Sequence, residues 1–478
     1  MVENVMKLPL FDDYWIDFRR GTVRRWYVPK LFSECTEGDY SSLFYDSIRG
    51  KYRYYYEALR NEHEDGPRNL MLLESEDMVH FTQVLSDEGD VVIFDGTSGL
   101  HGASVMLDLQ DPDPERRYKF CGMTHMYENR ERHGFDPVIL AFSPDGIHWT
   151  EHRELVANAQ TSDALNKLMF NPLTDEYVLF HRSAYADRRI AVRSSKDLKH
   201  WGPPRIILHP GAVYNDEHTG MQHYSMSAKW FGGVFYGLLW RFSTCLYGDD
   251  FRRRYGYIEP ELVYSYDGKE FLYTSGKPLM ERPDFPEPGC TGLCPNDMCE
   301  SADGKYYFIA CNGSVCVHGA DMKSGEYLTG RKEHDLHTRT LFYRIRKDGF
   351  CGIESVTPGG LVITKALELL DTDLSFNVNA SLGSVRFGIM DRFGKFIDGF
   401  SFDDCVPFSF EDAVAAKPVW KEHSIGELLG KRIRLAVELN TAVLHCITGT
   451  ARPSIVQSMK GFADPEGLPE EENTPGTQ

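Results

Sequence analysis

Nowhere do the 478 residues approach a run of 18 apolar residues, which excludes a hydrophobic helix of bilayer-spanning length. The stretch 1–10 also lacks the apolar segment of a secretory leader. Positive charge is scarce. Lys and Arg number 52 against 71 Asp and Glu, a net charge of −19, so nucleic acid and anionic membranes would be repelled rather than bound. Cysteine is present without a paired framework: the eleven are an odd number and scattered, as in a reducing compartment. A cytoplasmic protein is therefore expected, and one that meets its substrate as a small molecule. Five cysteines fall between Cys290 and Cys316 with His318 close by, but only Cys290-x3-Cys294 is tightly spaced. Zinc sites use matched pairs, so these thiols read as small hydrophobes in a core, and neither a metal nor a cofactor is expected.

What is abundant is aromatic and turn-forming: 13% Phe, Trp and Tyr, with 42 Gly and 24 Pro. One signature recurs as Ser75-x-Asp77-x-x-His80-Phe81, Ser143-x-Asp145-Gly146-x-His148-Trp149, Ser195-x-Asp197-x-x-His200-Trp201 and Ser265-x-Asp267-Gly268-x-x-Phe271. A degenerate fifth copy is Arg346-Lys347-Asp348-Gly349-Phe350. Ser and Asp bond the backbone of a tight turn, Gly supplies positive φ, and the aromatic fills the gap between neighbouring sheets. The spacing, about 50 to 80 residues, is that of one four-stranded sheet plus loops per step. The chain is read as all-β, with a five-bladed β-propeller over residues 1–355.

Each blade should open with a polar residue, an apolar alternating strand, a turn and an aromatic strand. Five such hairpins follow Asp39, His101, Asp163, Gln222-His223 and Asp297. Because innermost strands line a propeller's central channel, these residues are expected to converge on one funnel. Carboxylates delivered there by different blades suit glycoside hydrolysis, in which one acid protonates the leaving oxygen and one carboxylate attacks or activates water. Asn312 and His318 follow the fifth hairpin and can reach the rim, Arg182 follows the third, and Trp240 flanks the fourth as a sugar-stacking wall.

With these residues in view, the chain resembles the five-bladed propeller glycosidases, the β-fructofuranosidase (family 32-like) and arabinofuranosidase (family 43-like) superfamily. It is most similar to a group labelled as like the fructofuranosidase amino-terminal domain, sharing the Leu10-Phe-Asp-Asp-Tyr14 start and the Ser143-Pro-Asp-Gly-Ile-His-Trp149 turn. The family's Asn-Asp-Pro-Asn-Gly nucleophile strand falls on Gly38-Asp39-Tyr40-Ser41-Ser42, and its Arg-Asp-Pro on Ser162-Asp163-Ala164. Its Phe-Ser-Gly-Ser element falls on Leu100–Ser104, and its Glu-Cys-Pro acid/base element on Gln222-His223-Tyr224. The resemblance implies Asp39 as nucleophile (or as base in an inverting relative) and Asp163 as the group that binds sugar hydroxyls at the transition state. It implies a fructofuranoside substrate first and an arabinofuranoside second, with exo action.

None of these family motifs is intact, and Gln222 departs most, since an amide cannot donate a proton as general acid. Three explanations stay open: a Glu→Gln inactivation, a neighbouring proton donor (Glu217, His218 or His223), or a propeller that binds sugar without cleaving it. Sialidase chemistry would need three arginines, and a phosphorolytic relative a cationic phosphate pocket. The run Arg252-Arg253-Arg254 reads instead as a solvated loop.

After Val356 the pattern turns to clean alternation in five runs, from Leu361-Val-Ile-Thr to Val443-Leu-His-Cys-Ile. That reads as a β-sandwich over residues 356–455. Such modules brace a propeller or mediate oligomers, so a homo-oligomer is allowed for. Residues 456–478, rich in Pro, Glu and Gly, are expected to be disordered.

Overall fold

A computed structural model of the chain describes residues 4–36, 38–59, 68–87, 98–128, 131–132, 138–150, 154–157, 162–182, 188–210, 221–244, 256–315, 317–318 and 338–453. Among them there is no α-helix, and the chain is all-β. It divides into two compact units, residues 28–347 and residues 1–27 with 348–478.

Among the described residues the larger unit holds five antiparallel sets, four of them four-stranded and the second five-stranded because Glu131–Arg132 also pairs with Tyr118–Glu128. The first comprises Asp39–Asp46, Lys51–Leu59, Arg68–Ser75 and Thr82–Val84. The second comprises Ser98–Leu107, Tyr118–Glu128, Val138–Ser143 and Glu154–Ala157. The third runs from Lys167–Asn171 through Glu176–Arg182 and Ile190–Ser195 to Arg205–Leu208. The fourth runs from Met221–Trp230 through Phe235–Thr244 and Gly256–Ser265 to Leu272–Tyr273. The fifth takes Gly292–Glu300, Tyr306–Ser314 and Arg339–Arg346 and is completed by the early strand Lys30–Cys35. One parallel pair, Ile258 with Gly292, joins the fourth set to the fifth.

The opening strands adjoin in sequence order, and Gly292–Glu300 lies beside both Met221–Trp230 and Asp39–Asp46. Among the described residues no sheet closes on itself. Polar contacts pin these strands together. Asp297 accepts from Lys167 Nζ at 2.6 Å, from Lys229 Nζ at 2.9 Å and from the Leu43 amide at 2.9 Å. Ser42 Oγ accepts from the Val105 amide, and Ser104 Oγ donates to Asn166 O. Farther out a bond repeats between neighbours: Tyr118 Oη donates to Asp46, and Tyr177 Oη to Asp108.

All four complete signature turns form, and alike. In the second, Ser143 Oγ accepts from the Gly146 amide while Asp145 Oδ1 accepts from the amides of Ile147 and His148. His148 Nδ1 sits 2.7 Å from the other Asp145 oxygen. Burial pushes the Asp145 pKa up, but the His148 and Ile147 bonds outweigh it and hold the carboxyl at about 2. The left-handed position taken by Gly146 (φ +77°) and Gly268 (φ +70°) is filled in the other two turns by buried Met78 (φ +64°) and Leu198 (φ +63°). Asp145→Ala leaves those two amides to water, so a loss of roughly 1 kcal/mol is expected, read as a Tm lowered by about 2–4 °C.

Asp348 departs from the signature expectation. It belongs to the smaller unit, where its buried carboxylate pairs with Lys7 at 3.0 Å. A related turn lies instead within the fifth set's first hairpin, where Asp303 accepts from Ser301 Oγ and the Lys305 amide.

The smaller unit stacks two six-stranded layers. Val443–Pro453 pairs Val5–Leu8, Cys351–Ser355 and Ser375–Asn379 in one layer. Arg432–Asn440 pairs Gly360–Thr364 and Ser384–Asp391 in the other. The short Leu367–Leu369 bonds to a strand of each. Alternating apolar residues face a shared core in which Phe376 and Phe387 meet with ring centroids 4.3 Å apart. This unit takes in residues 1–27, which the sequence analysis had counted with the propeller, because three early strands complete its layers.

Candidate active site

The site begins with the short segment that leads into Lys167–Asn171. Asn166 Nδ2 donates to the carbonyls of Ala164, Ser162 and Gly102, and the Asn166 amide donates to Gly102 O at 2.7 Å. These bonds fold residues 162–166 against the second set. The approach is so close that a Cβ on Gly102 (φ +64°) would lie 1.8 Å from Ala164 O. Only glycine fits there. The result sets Asp163 beside the preceding residue, His101, with Nε2 to Oδ1 at 3.0 Å. Arg182 Nη1 reaches the other oxygen at 3.5 Å.

His101 has a carboxylate on each side. Its Nδ1 lies 3.9 Å from Oε2 of Glu57, a fully buried residue whose Oε1 accepts from the Ala103 amide. Glu57 is the cross-strand partner of Asp39. Burial lowers the His101 pKa, but Asp163, Glu57 and Asp39 outweigh it and the net shift is upward. For Asp163 burial raises the pKa, whereas the His101 bond and the charges of Arg182, His101 and Arg188 bring it down to about 2. Its side chain is 67% accessible by area although charged groups surround it, so the energy of this pair is discounted for solvent screening.

A raised histidine stabilises the fold fully below its unfolded pKa, and the benefit fades as pH rises through the folded value. The Tm gap between the native chain and His101→Gln should therefore be widest near pH 5.5 and narrow by pH 9. It should correspond to roughly 1 kcal/mol at its widest. An unchanging gap would show that His101 is not charged in this setting.

Beneath these groups lies a stack of three buried rings. Tyr40, Trp240 and Tyr224 follow one another at centroid distances of 5.6 and 5.8 Å and are nearly parallel. The edge of Tyr40 meets His101 at 4.8 Å. Arg182 and Arg188 lie over the Tyr224 ring at 4.5 and 5.3 Å. Arg188 Nη1 donates to Gln222 Oε1 at 2.8 Å, and His318 Nε2 sits 3.0 Å from Tyr224 Oη.

Asp39, His101, Asp163, Arg182, Gln222 and His318 thus belong to one cluster. Four other expected residues are placed differently. Trp240 is sandwiched in the stack with its indole donating to Pro295 O, so it presents no wall to a sugar. His223 is buried beside a β-bulge in its strand and meets Tyr273 Oη at 2.9 Å. Asp297 is 1% exposed and engaged with two lysines. Asn312 bonds Gly38 O and Asn296, supporting the chain beside Asp39 rather than a ligand. Glu217 lies outside the described residues, as do His218 and Arg252 to Arg254.

Sequence reasoning passed over Glu57, Tyr40, Tyr224 and Arg188. Glu57 was findable, since the register of the first hairpin puts it opposite Asp39. Among the described residues no group of three or more His, Cys, Asp or Glu side chains is arranged to hold a metal.

No family model matches the chain, and no curated protein matches it. Among solved structures it is similar to an N-acetylgalactosamine deacetylase from F. plautii in complex with blood group B trisaccharide, at 13% identity and a TM-score of 0.46. That match covers 68% of this chain and 96% of the other. A thermostable family-43 glycoside hydrolase matches at 13% identity and a TM-score of 0.41, over 65% and 88% of the two chains. An exo-β-1,3-galactanase from Clostridium thermocellum matches at 11% and 0.39, over 75% and 73%. At these scores the likeness assigns neither activity nor substrate to this chain.

Proposed function

We propose that the chain is a glycoside hydrolase whose larger unit is a five-bladed propeller, acting on a small furanoside, fructose-containing first and arabinose-containing second. The observation that carries this is the Asp163–His101 pair, with the charge of Asp39 also acting on His101. Asp39 is the nucleophile, or the base if the enzyme inverts. Asp163, ionised across the working pH range, binds hydroxyls of the sugar as positive charge develops on the ring.

Gln222 has no proton to give, and His223 is buried against Tyr273. His101, raised in pKa and flanked by carboxylates, takes the proton-donor role. The buried ring stack and the bonds of Asn166 hold these groups in place, so little reorganisation accompanies the reaction.

The test is hydrolysis of a panel of nitrophenyl furanosides and pyranosides, with short fructans, by the native chain and by Gln222→Glu. Turnover by the chain as it stands, lost in His101→Gln, supports His101 as the donor. Turnover only after Gln222→Glu moves the acid to position 222. The neutral amide itself favours a second reading, a sugar-binding propeller without catalysis. That reading demands saturable sugar binding with no turnover by either protein.

A further inference from the structure

The two carboxylates beside His101 differ in their access to water. The Asp163 side chain is 67% accessible, within reach of a sugar, whereas Glu57 is fully buried and out of reach. The register of the first hairpin puts Glu57 opposite Asp39. Its Oε1 accepts from the Ala103 amide, and its Oε2 lies 3.9 Å from His101 Nδ1. The other ring nitrogen, Nε2, meets Asp163 Oδ1 at 3.0 Å. A neutral imidazole carries one N–H and can direct it at only one of these carboxylates, whereas the imidazolium directs one at each. A buried carboxylate 3.9 Å away favours the charged ring strongly, because little water screens the pair. The other groups around the ring are Asp39 and the edge of Tyr40, with Arg182 and Arg188 beyond, acting on Asp163.

We propose that Glu57 is a positioning residue, the standing counter-ion that keeps His101 protonated while the sugar occupies Asp163. This deepens the glycosidase reading and rests on it for the role of His101. In the free chain both carboxylates hold the charged ring. When substrate hydroxyls bond Asp163, its hold on Nε2 weakens, and the Nε2 proton turns to the leaving oxygen. Glu57 keeps its place because the sugar never reaches it. As the glycosidic bond breaks, Nε2 gives its proton to the leaving oxygen, and it recovers one from the water that completes hydrolysis. Throughout, Glu57 fixes the second proton on Nδ1 and so holds the ring in the one tautomer that leaves Nε2 free to exchange.

The experiment compares the full chain with Glu57→Gln by two measurements, the pH profile of kcat and the titration of histidine ring protons by NMR. The signal missing from His101→Gln assigns His101. Glutamine is nearly isosteric with glutamate and still accepts from the Ala103 amide, so Glu57→Gln removes the charge alone. The His101 titration and the alkaline limb of kcat should both move to lower pH, by about one unit. KM at acid pH should stay within about twofold, since Glu57 touches no substrate. A rate lowered alike at every pH, with the His101 titration unmoved, would be the mark of a structural role and overturns the proposal. If Glu57→Gln does not fold, the unaltered chain decides. His101 titrating at or below the ordinary value of about 6.5 there also overturns it. A titration that shifts as expected in a chain that hydrolyses no glycoside leaves the counter-ion standing and removes the glycosidase reading. Hydrolysis with neither titration nor limb moved by Glu57→Gln does the reverse.

Discussion

Asp163→Asn and Asp39→Asn should each reduce kcat/KM on the best substrate of the panel by about a thousandfold or more, with the fold intact. Losing a nucleophile or an acid/base partner costs barriers of this order. Asparagine is nearly isosteric with aspartate, so the packing of Tyr40 and the Asn166 bonds stay in place. The two variants differ in a second measurement. Asp163 supplies the hydrogen bond that raises His101, so its loss lets the imidazole pKa fall. The alkaline limb of the pH–rate profile should then move to lower pH in Asp163→Asn. The sign follows from His101 acting as an acid: a lower pKa means that the protonated form is lost sooner as pH rises. Turnover within about tenfold of the native chain in both variants would remove Asp39 and Asp163 from the mechanism.

The largest effect on stability is expected at Asp297. Burial pushes its pKa up, but Lys167 and Lys229 keep it ionised, and burial in turn pushes Lys167 downward. Asp297→Leu strands two ammonium groups around an apolar side chain, at a cost of about 3–5 kcal/mol. Lys229 retains the carbonyls of Leu43 and Met298 as acceptors, whereas Lys167 has no such alternative bond among the described residues. Adding Lys167→Met to Asp297→Leu should accordingly recover much of the loss, since an apolar pair of similar volume replaces an ion pair at little net cost. Urea midpoints of the single and double variants, compared at constant m-value, decide the matter. A double variant no more stable than Asp297→Leu alone would show that this centre is held by packing rather than by charge.

The parts of the molecule that follow from short-range chemistry were legible in the chain. Ser143, Asp145 and Gly146 make their turn from bonds no more than three residues long, so the same composition made the same turn at Ser75, Ser195 and Ser265. Alternation marked the opening hairpins, because one face of each strand meets a neighbouring sheet. The bond of Asp163 to His101, in a different sheet, was not legible. Neither was the fate of Trp240 and His223, whose partners, Pro295 O and Tyr273 Oη, lie far away in the chain.

Residues 1–27 illustrate the same divide. The partners of their strands, Val443–Pro453, Cys351–Ser355 and Gly360–Thr364, lie more than 300 residues away, and nothing local names them. The sequence by itself determined an all-β chain, its repeated turns and the residues that open each sheet, since these depend on periodicity and on bonds to near neighbours. The tertiary structure alone decided that Asp297 serves as a buried ion centre while Asp163 faces His101, and that two arginines share one tyrosine. Those outcomes depend on which distant charge each side chain meets and on how much water is left around it.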